Sequence, residues 1–161
     1  MVQPPADIHY TIAADGWPLS LRHYPASGPN PHGEPVLVQH GLGTCSMQFD
    51  LPMPSGALGA PSLPRWLASR GYSVWSPDLR GGGNSKRPGD SGLSRWGWSV
   101  DDHIHQDIPA FVTYILEQSR YEKLHWVGHS MGGILLLCHC VTHGSHQIAS
   151  GVAAASGFDY S

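Results

Sequence analysis

The chain has 161 residues, of which 40% are hydrophobic and 13% are charged, and its formal net charge is −3. This length and composition predict a single folded domain that buries one core. The slightly acidic balance excludes the basic surface that binding to nucleic acid requires, so we expect no nucleic-acid partner.

The sequence shows no targeting or membrane-spanning pattern. The first 17 residues have neither the basic region nor the apolar run of a signal peptide. The longest wholly apolar run, residues 134–138, is too short to cross a bilayer. Three cysteines (Cys45, Cys138 and Cys140) cannot pair evenly, which favours a reduced, cytoplasmic setting.

Strand and helix patterns alternate along the chain. Strands are predicted at residues 8–13, 19–24, 36–39, 72–75, 124–127 and 148–155, and helices at residues 63–70, from about residue 99 to beyond 116, and at residues 131–141. Asp15-Gly16 closes a hairpin between the first two strands. Gly71 is expected to cap the first helix. Pro77 is expected to end the strand at residues 72–75. Ser99 caps the second helix, which Pro109 should kink or restart.

This order predicts an α/β fold, with a mostly parallel sheet, helices on both faces and an antiparallel N-terminal hairpin. The helix at residues 131–141 is apolar nearly all round, which predicts burial on most sides. No internal repeat or linker divides the chain, so residues 1–161 are predicted to form one domain.

The strongest chemical signal is a G-x-S-x-G pattern formed by Gly128, Ser130 and Gly132. It lies between a predicted strand and a predicted buried helix, the context in which such a serine is a nucleophile. Small residues are needed on both sides because the turn is sharp. The alternative is a glycine-rich turn that has no chemistry.

A second candidate segment, residues 36–43, is a buried strand followed by His40-Gly41. We expect the backbone N–H groups of Leu42 and Met131 to bind the oxyanion of an acyl-transfer reaction. His40 is expected to support this loop by packing and hydrogen bonding beneath it, and not to act in catalysis. His129 adjoins the serine but should point elsewhere.

With the loop at residues 77–85, these motifs resemble the α/β-hydrolase family in content and order. The segments QHGLGTCSMQF, RGYSVWSPDLRGGGNS and EKLHWVGHSMGG are most similar to its acid-lipase-like branch. The resemblance covers about residues 8–157. It implies a serine nucleophile at Ser130, oxyanion donors at Leu42 and Met131, and acyl-ester substrates that include lipids.

The family order is serine, then acid, then histidine, and only 31 residues (161 minus 130) follow Ser130. Asp159 is a candidate acid, although a surface turn residue is the simpler interpretation. His139 and His143 lie on the helix that leads away from the serine, and His146 follows it. We therefore expect an incomplete hydrolase domain, with the later strands, the cap and the catalytic histidine absent.

His139 and His143 also have a spacing that is compatible with a metal site. A zinc peptidase would need glutamate directly after His139, where this sequence has Cys140. We expect neither a metal nor a cofactor. Trp98 and Trp96 could line an acyl pocket or simply pack, and Trp126 should be core.

Two function classes stay open. One is a serine hydrolase of carboxylic esters, weak or inactive as this chain, or an acyltransferase that uses the same serine. The other is a non-catalytic relative that binds a partner or a hydrophobic ligand. Loss of the later strands would expose a sheet edge at residues 148–155, so we expect the isolated chain to self-associate or to be only marginally stable.

Overall fold

The structure is a computed structural model that describes residues 6–28, 31–51, 62–86 and 97–157. The strands are β1 (Asp7–Ile12), β2 (Pro18–Tyr24), β3 (Val36–Gln39), β4 (Val74–Asp78), β5 (Leu124–His129) and β6 (Ile148–Ala154). The helices are α1 (Leu63–Ser69), α2 (Val100–Asp102), α3 (Ile108–Ser119) and α4 (Met131–Thr142). A 3₁₀ turn spans Ser46–Phe49, and a π-helical segment at His103–Asp107 joins α2 to α3.

The six strands form one sheet in the order β1-β2-β4-β3-β5-β6. β2 is antiparallel to both β1 and β4, whereas β4, β3, β5 and β6 run parallel to one another. In the first hairpin Gly16 has φ +83° and donates its N–H to the carbonyl of Ala13. The predicted mostly parallel sheet with an N-terminal antiparallel hairpin is confirmed.

Neighbouring residues of the central strands enter two hydrophobic clusters on opposite faces of the sheet. Leu37 and Trp126 belong to the cluster that contains the apolar residues of α3 and of α4. Val38 and Val74 belong to the other cluster, which includes Ala68 of α1. Helices therefore cover both faces, because side chains alternate in direction along a strand.

The structure corrects the predicted end of one strand. β4 begins at Val74 and continues through Pro77 to Asp78, where Pro77 pairs with Leu21 of β2. Pairing with β3 reaches only as far as Trp75. At Pro77 the strand therefore has a neighbour on one side only, where a residue without an N–H is tolerated.

The helix at Pro109 continues without a break. The π-helical segment precedes α3, and Pro109 occupies the first turn of α3. A proline ring clashes with the carbonyl four residues earlier and cannot bond to it, so the turn before it widens. Ser99 caps this region as predicted, through a capping box with Asp102.

Helix α4 is buried or half-buried along its length except at its C-terminal end. One side of the helix is buried, by Gly132, Gly133, Leu135, Leu136 and His139. Val141, near the end of the helix, is 84% exposed. The helix packs on β5, β6 and the π-helical segment. The other residues of 131–141 are half-buried, so the predicted burial holds along most of the helix and ends at its last turn. No helix within the described ranges is long and apolar enough to cross a membrane.

Candidate active site

Ser130 lies on the turn between β5 and α4 and has an unusual backbone conformation. Its φ is +52° and its ψ −121°, a region that residues with a side chain rarely occupy. The Ser130 N–H donates to the carbonyl of Ala154 (2.9 Å), and the Ser156 hydroxyl donates to the Ser130 carbonyl (2.7 Å). Hydrogen bonds to the Ser130 backbone therefore hold the strained turn. The Ser130 hydroxyl has no hydrogen-bond partner among the described residues.

Glycines around this turn are required by close backbone contacts. A Cβ on Gly128 would collide with the backbone of Gly132 and Gly133. A Cβ on Gly132 would collide with the carbonyls of Gln39 and His40 at the end of β3. The glycine spacing thus lets α4 begin directly against the loop that follows β3.

That loop lies beside Ser130. A Cβ on Gly41 would come 3.2 Å from the Ser130 Cβ and 3.3 Å from the carbonyl oxygen of His129. Strands β3 and β5 are adjacent, with Gln39 opposite Gly128, so their carboxyl ends bring the two segments together. Both oxyanion donors expected from the sequence, the amides of Leu42 and Met131, belong to these segments.

His40 is buried beneath the loop and makes two hydrogen bonds to the backbone. Its Nε2 accepts from the Leu79 N–H (3.2 Å), so Nδ1 carries the proton and donates to the Gly41 carbonyl (2.8 Å). Burial lowers the pKa of His40 and favours this neutral form. The geometry is that of a loop support, the role expected for His40.

A cavity of about 410 Å³ opens between this loop and the loop after β4. Its lining includes Leu42 and Met131 from the two candidate donor segments, and Leu79, Trp98 and His103 from the opposite side. Leu42 is 74% exposed, so its side chain lies at the mouth of the cavity. First-turn N–H groups of a helix have no partner within it. The Met131 amide at the start of α4 is therefore available to a bound oxygen.

Two buried carboxylates hold the loop after β4. Asp78 accepts from the Ser46 N–H (2.7 Å), the Ser20 hydroxyl (2.9 Å) and the Asn84 N–H (2.9 Å). Asp107 accepts from the guanidinium of Arg80. Both carboxylates are almost fully buried, and their donors come from distant elements. They fix the loop after β4, whose residues Leu79 to Gly82 line the cavity.

Asp107 also binds His103, at 2.9 Å from Nδ1 to a carboxylate oxygen. His103 lines the cavity, and no hydrogen bond to its Nε2 is present within the described ranges. No sequence motif marks His103, because it lies in the π-helical segment, 27 residues before Ser130 in the chain (130 minus 103).

The remaining candidates are not brought to Ser130. His139 is buried on α4 beside Trp126, its ring 5.2 Å from that of His143. No group of three metal-ligating side chains occurs in the described part of the chain. Asp159 and Trp96 lie outside the described residues. Trp98 packs edge-on against Trp17 and lines the cavity.

Sequence reasoning missed Gln48, which links the loop after β3 to the residue before Ser130. Gln48 Oε1 accepts from the Gly41 N–H and from the Thr44 hydroxyl, and its Nε2 lies 2.8 Å from His129 Nδ1. A lone glutamine in a polar loop has no motif that would single it out.

The fold and the turn define a class, an α/β protein with a strained serine between a parallel strand and a helix. A family model described as "alpha/beta hydrolase fold" matches residues 34–161. The chain belongs to the α/β-hydrolase family.

Relatives and solved structures agree with this assignment. Lipase lipl-3 of Caenorhabditis elegans is 30% identical over 143 residues, which cover 84% of this chain and 34% of that protein. Gastric triacylglycerol lipase of Bos taurus is 30% identical over 80% of this chain and 33% of its own length. The chain thus spans about a third of the length of the curated relatives it matches.

Two solved structures share the fold. The Pyrococcus furiosus esterase Pf2001 has a TM-score of 0.67 at 19% identity, covering 94% of this chain and 52% of that one. An alpha/beta hydrolase from Novosphingobium aromaticivorans has a TM-score of 0.63 at 24% identity, and the match covers 95% of this chain and 44% of that one.

Proposed function

We propose that this protein is a serine hydrolase that cleaves carboxylic esters, lipid esters included, with Ser130 as its nucleophile. The observation that carries the proposal is the strained conformation of Ser130 next to Gly41, at the start of α4. Lipases among the relatives support an ester substrate.

In the proposed reaction the Ser130 Oγ attacks the ester carbonyl carbon while its proton passes to a base. The N–H groups of Leu42 and Met131 bind the oxyanion that forms, and each well-placed donor contributes about 3–4 kcal/mol. When the tetrahedral intermediate collapses, the ester C–O bond breaks, the leaving oxygen takes the proton back from the base and departs as the neutral alcohol, and an acyl group remains on Ser130. Water then releases the acid by the same steps.

No imidazole is hydrogen-bonded to Ser130 in the ranges that the structure describes. Removing the base from such a site lowers the rate severely, because nucleophile, base and acid act as a unit. We therefore expect slow turnover by this 161-residue chain, and covalent labelling is a more sensitive test than turnover.

The test is labelling with a fluorophosphonate probe, followed by peptide mapping. We expect modification at Ser130 that is lost in Ser130→Ala and retained in Ser69→Ala, a control at an exposed serine of α1. Slow release of p-nitrophenol from a short acyl ester should follow the same pattern. A folded protein that reacts at neither Ser130 nor the ester contradicts the proposal and favours the non-catalytic ligand binder.

A further inference from the structure

Gln48 connects the two segments of the candidate site. Its Oε1 accepts from the Gly41 N–H (3.0 Å) and from the Thr44 hydroxyl (2.7 Å). A backbone N–H can only donate, so the amide oxygen of Gln48 faces the loop and its nitrogen faces His129. The Nε2 therefore donates to His129 Nδ1 across 2.8 Å.

The connection spans two different elements. Gly41 and Thr44 belong to the loop after β3, whereas His129 ends β5 and precedes Ser130. In the described part of the chain this is the one side-chain hydrogen bond between the loop at residues 40–44, with its 3₁₀ turn, and residues 128–130. Strand pairing ends at Gln39 and Gly128, so beyond it Gln48 joins the two segments.

The loop needs such a fixed point. It contains Gly41 and Gly43, the latter at φ +72°, and the Leu42 side chain is too exposed to anchor it by packing. His40 holds the Gly41 carbonyl from below. Gln48 holds the Gly41 amide, so the next amide, that of Leu42, is the one left for an oxyanion.

We propose that Gln48 is a positioning residue that sets the distance between the oxyanion loop and Ser130. This inference rests on the proposed hydrolase function and deepens it. Gln48 does not touch the substrate; it acts through the backbone of Gly41 and the ring of His129.

Two variants separate the contacts of Gln48. Gln48→Leu removes all three hydrogen bonds at similar volume. His129→Phe removes only the bond across the two segments and leaves those within the loop. Gln118→Leu, at an exposed position on α3, is the matched control.

The measurement is fluorophosphonate labelling of Ser130 over a range of probe concentrations, which separates the maximal rate from the half-saturating concentration. We expect Gln48→Leu to lower the maximal rate about tenfold, since misplaced oxyanion donors act on the transition state. The half-saturating concentration should change less than twofold. His129→Phe should lower the maximal rate in the same way, and the double variant should add little to either single change.

A role in folding alone would lower the melting temperature and leave the maximal labelling rate of the folded fraction unchanged. That result in both variants overturns the inference while the hydrolase proposal stands. A folded wild-type chain that never labels overturns the hydrolase proposal and the role of Gln48 with it. If Gln48→Leu fails to fold, His129→Phe alone decides by the same criterion.

Discussion

Replacing Gly132 with alanine places a methyl group between the start of α4 and the end of β3. The added Cβ would lie 2.8 Å from the carbonyl oxygen of His40, and closer still to that of Gln39. Ordinary contact begins near 3.4 Å, so the two segments must separate by at least about 0.6 Å (3.4 minus 2.8). Both obstacles are backbone atoms, which cannot rotate away as the end of a side chain could.

Forcing an extra methyl into a packed site costs about 1–3 kcal/mol. Alanine is the better helix former by up to about 1 kcal/mol, which offsets part of that loss. We expect the free energy of unfolding of Gly132→Ala to fall by about 1–2 kcal/mol. The same displacement moves Ser130 away from the Leu42 amide. Since a shift near 1 Å can lower a rate about 100-fold, labelling should fall at least about tenfold.

Urea unfolding followed by circular dichroism measures the first effect, and fluorophosphonate labelling of Ser130 measures the second. Gly97→Ala is the control, because a Cβ there meets nothing within 4 Å. If Gly132→Ala matched the wild type in both stability and labelling, the close approach of α4 to the loop after β3 would be refuted.

Two further predictions concern stability and association. Burial, together with His143 and His146, lowers the pKa of His139 to about 4, and burial lowers that of His23 to about 4 as well. The unfolded chain therefore binds more protons between pH 6.5 and 4, so the free energy of unfolding should fall as the pH drops through that window. Urea titrations at pH 7 and pH 5 should show that the free energy of unfolding falls less in His139→Leu than in the wild type. An equal fall in the variant and the wild type would exclude the contribution of His139. We also propose that this chain self-associates through β6, which carries no charge or proline and has six exposed residues of seven. Val152→Lys should lower the weight-average mass measured by sedimentation equilibrium. A wild-type chain that is monomeric at every concentration would contradict the proposal.

The strand–turn–helix at Ser130 was predictable because its signals are local. Glycine spacing, an apolar strand and an apolar helix all occur within residues 124–142. The loop after β3 was predictable for the same reason. The end of β4 was not, since Pro77 is tolerated only because of which strands lie beside it.

The side chains that support the site escaped sequence analysis. Gln48 and His129 are 81 residues apart, and Ser20 and Asp78 are 58 apart. His103 reaches the cavity only because α2 and the π-helical segment pack beside the loop after β4. None of these residues has a spacing that marks it in the chain.

The sequence by itself determined the order of strands and helices, the turn at Ser130 and its glycines. Backbone preference and hydrophobic periodicity act between near neighbours, so they can be read along the chain. The tertiary structure alone decided which polar groups meet: Gln48 with His129, Asp78 with Ser20, and Asp107 with Arg80. Those contacts depend on the order of strands in the sheet, which brings distant residues within hydrogen-bonding distance.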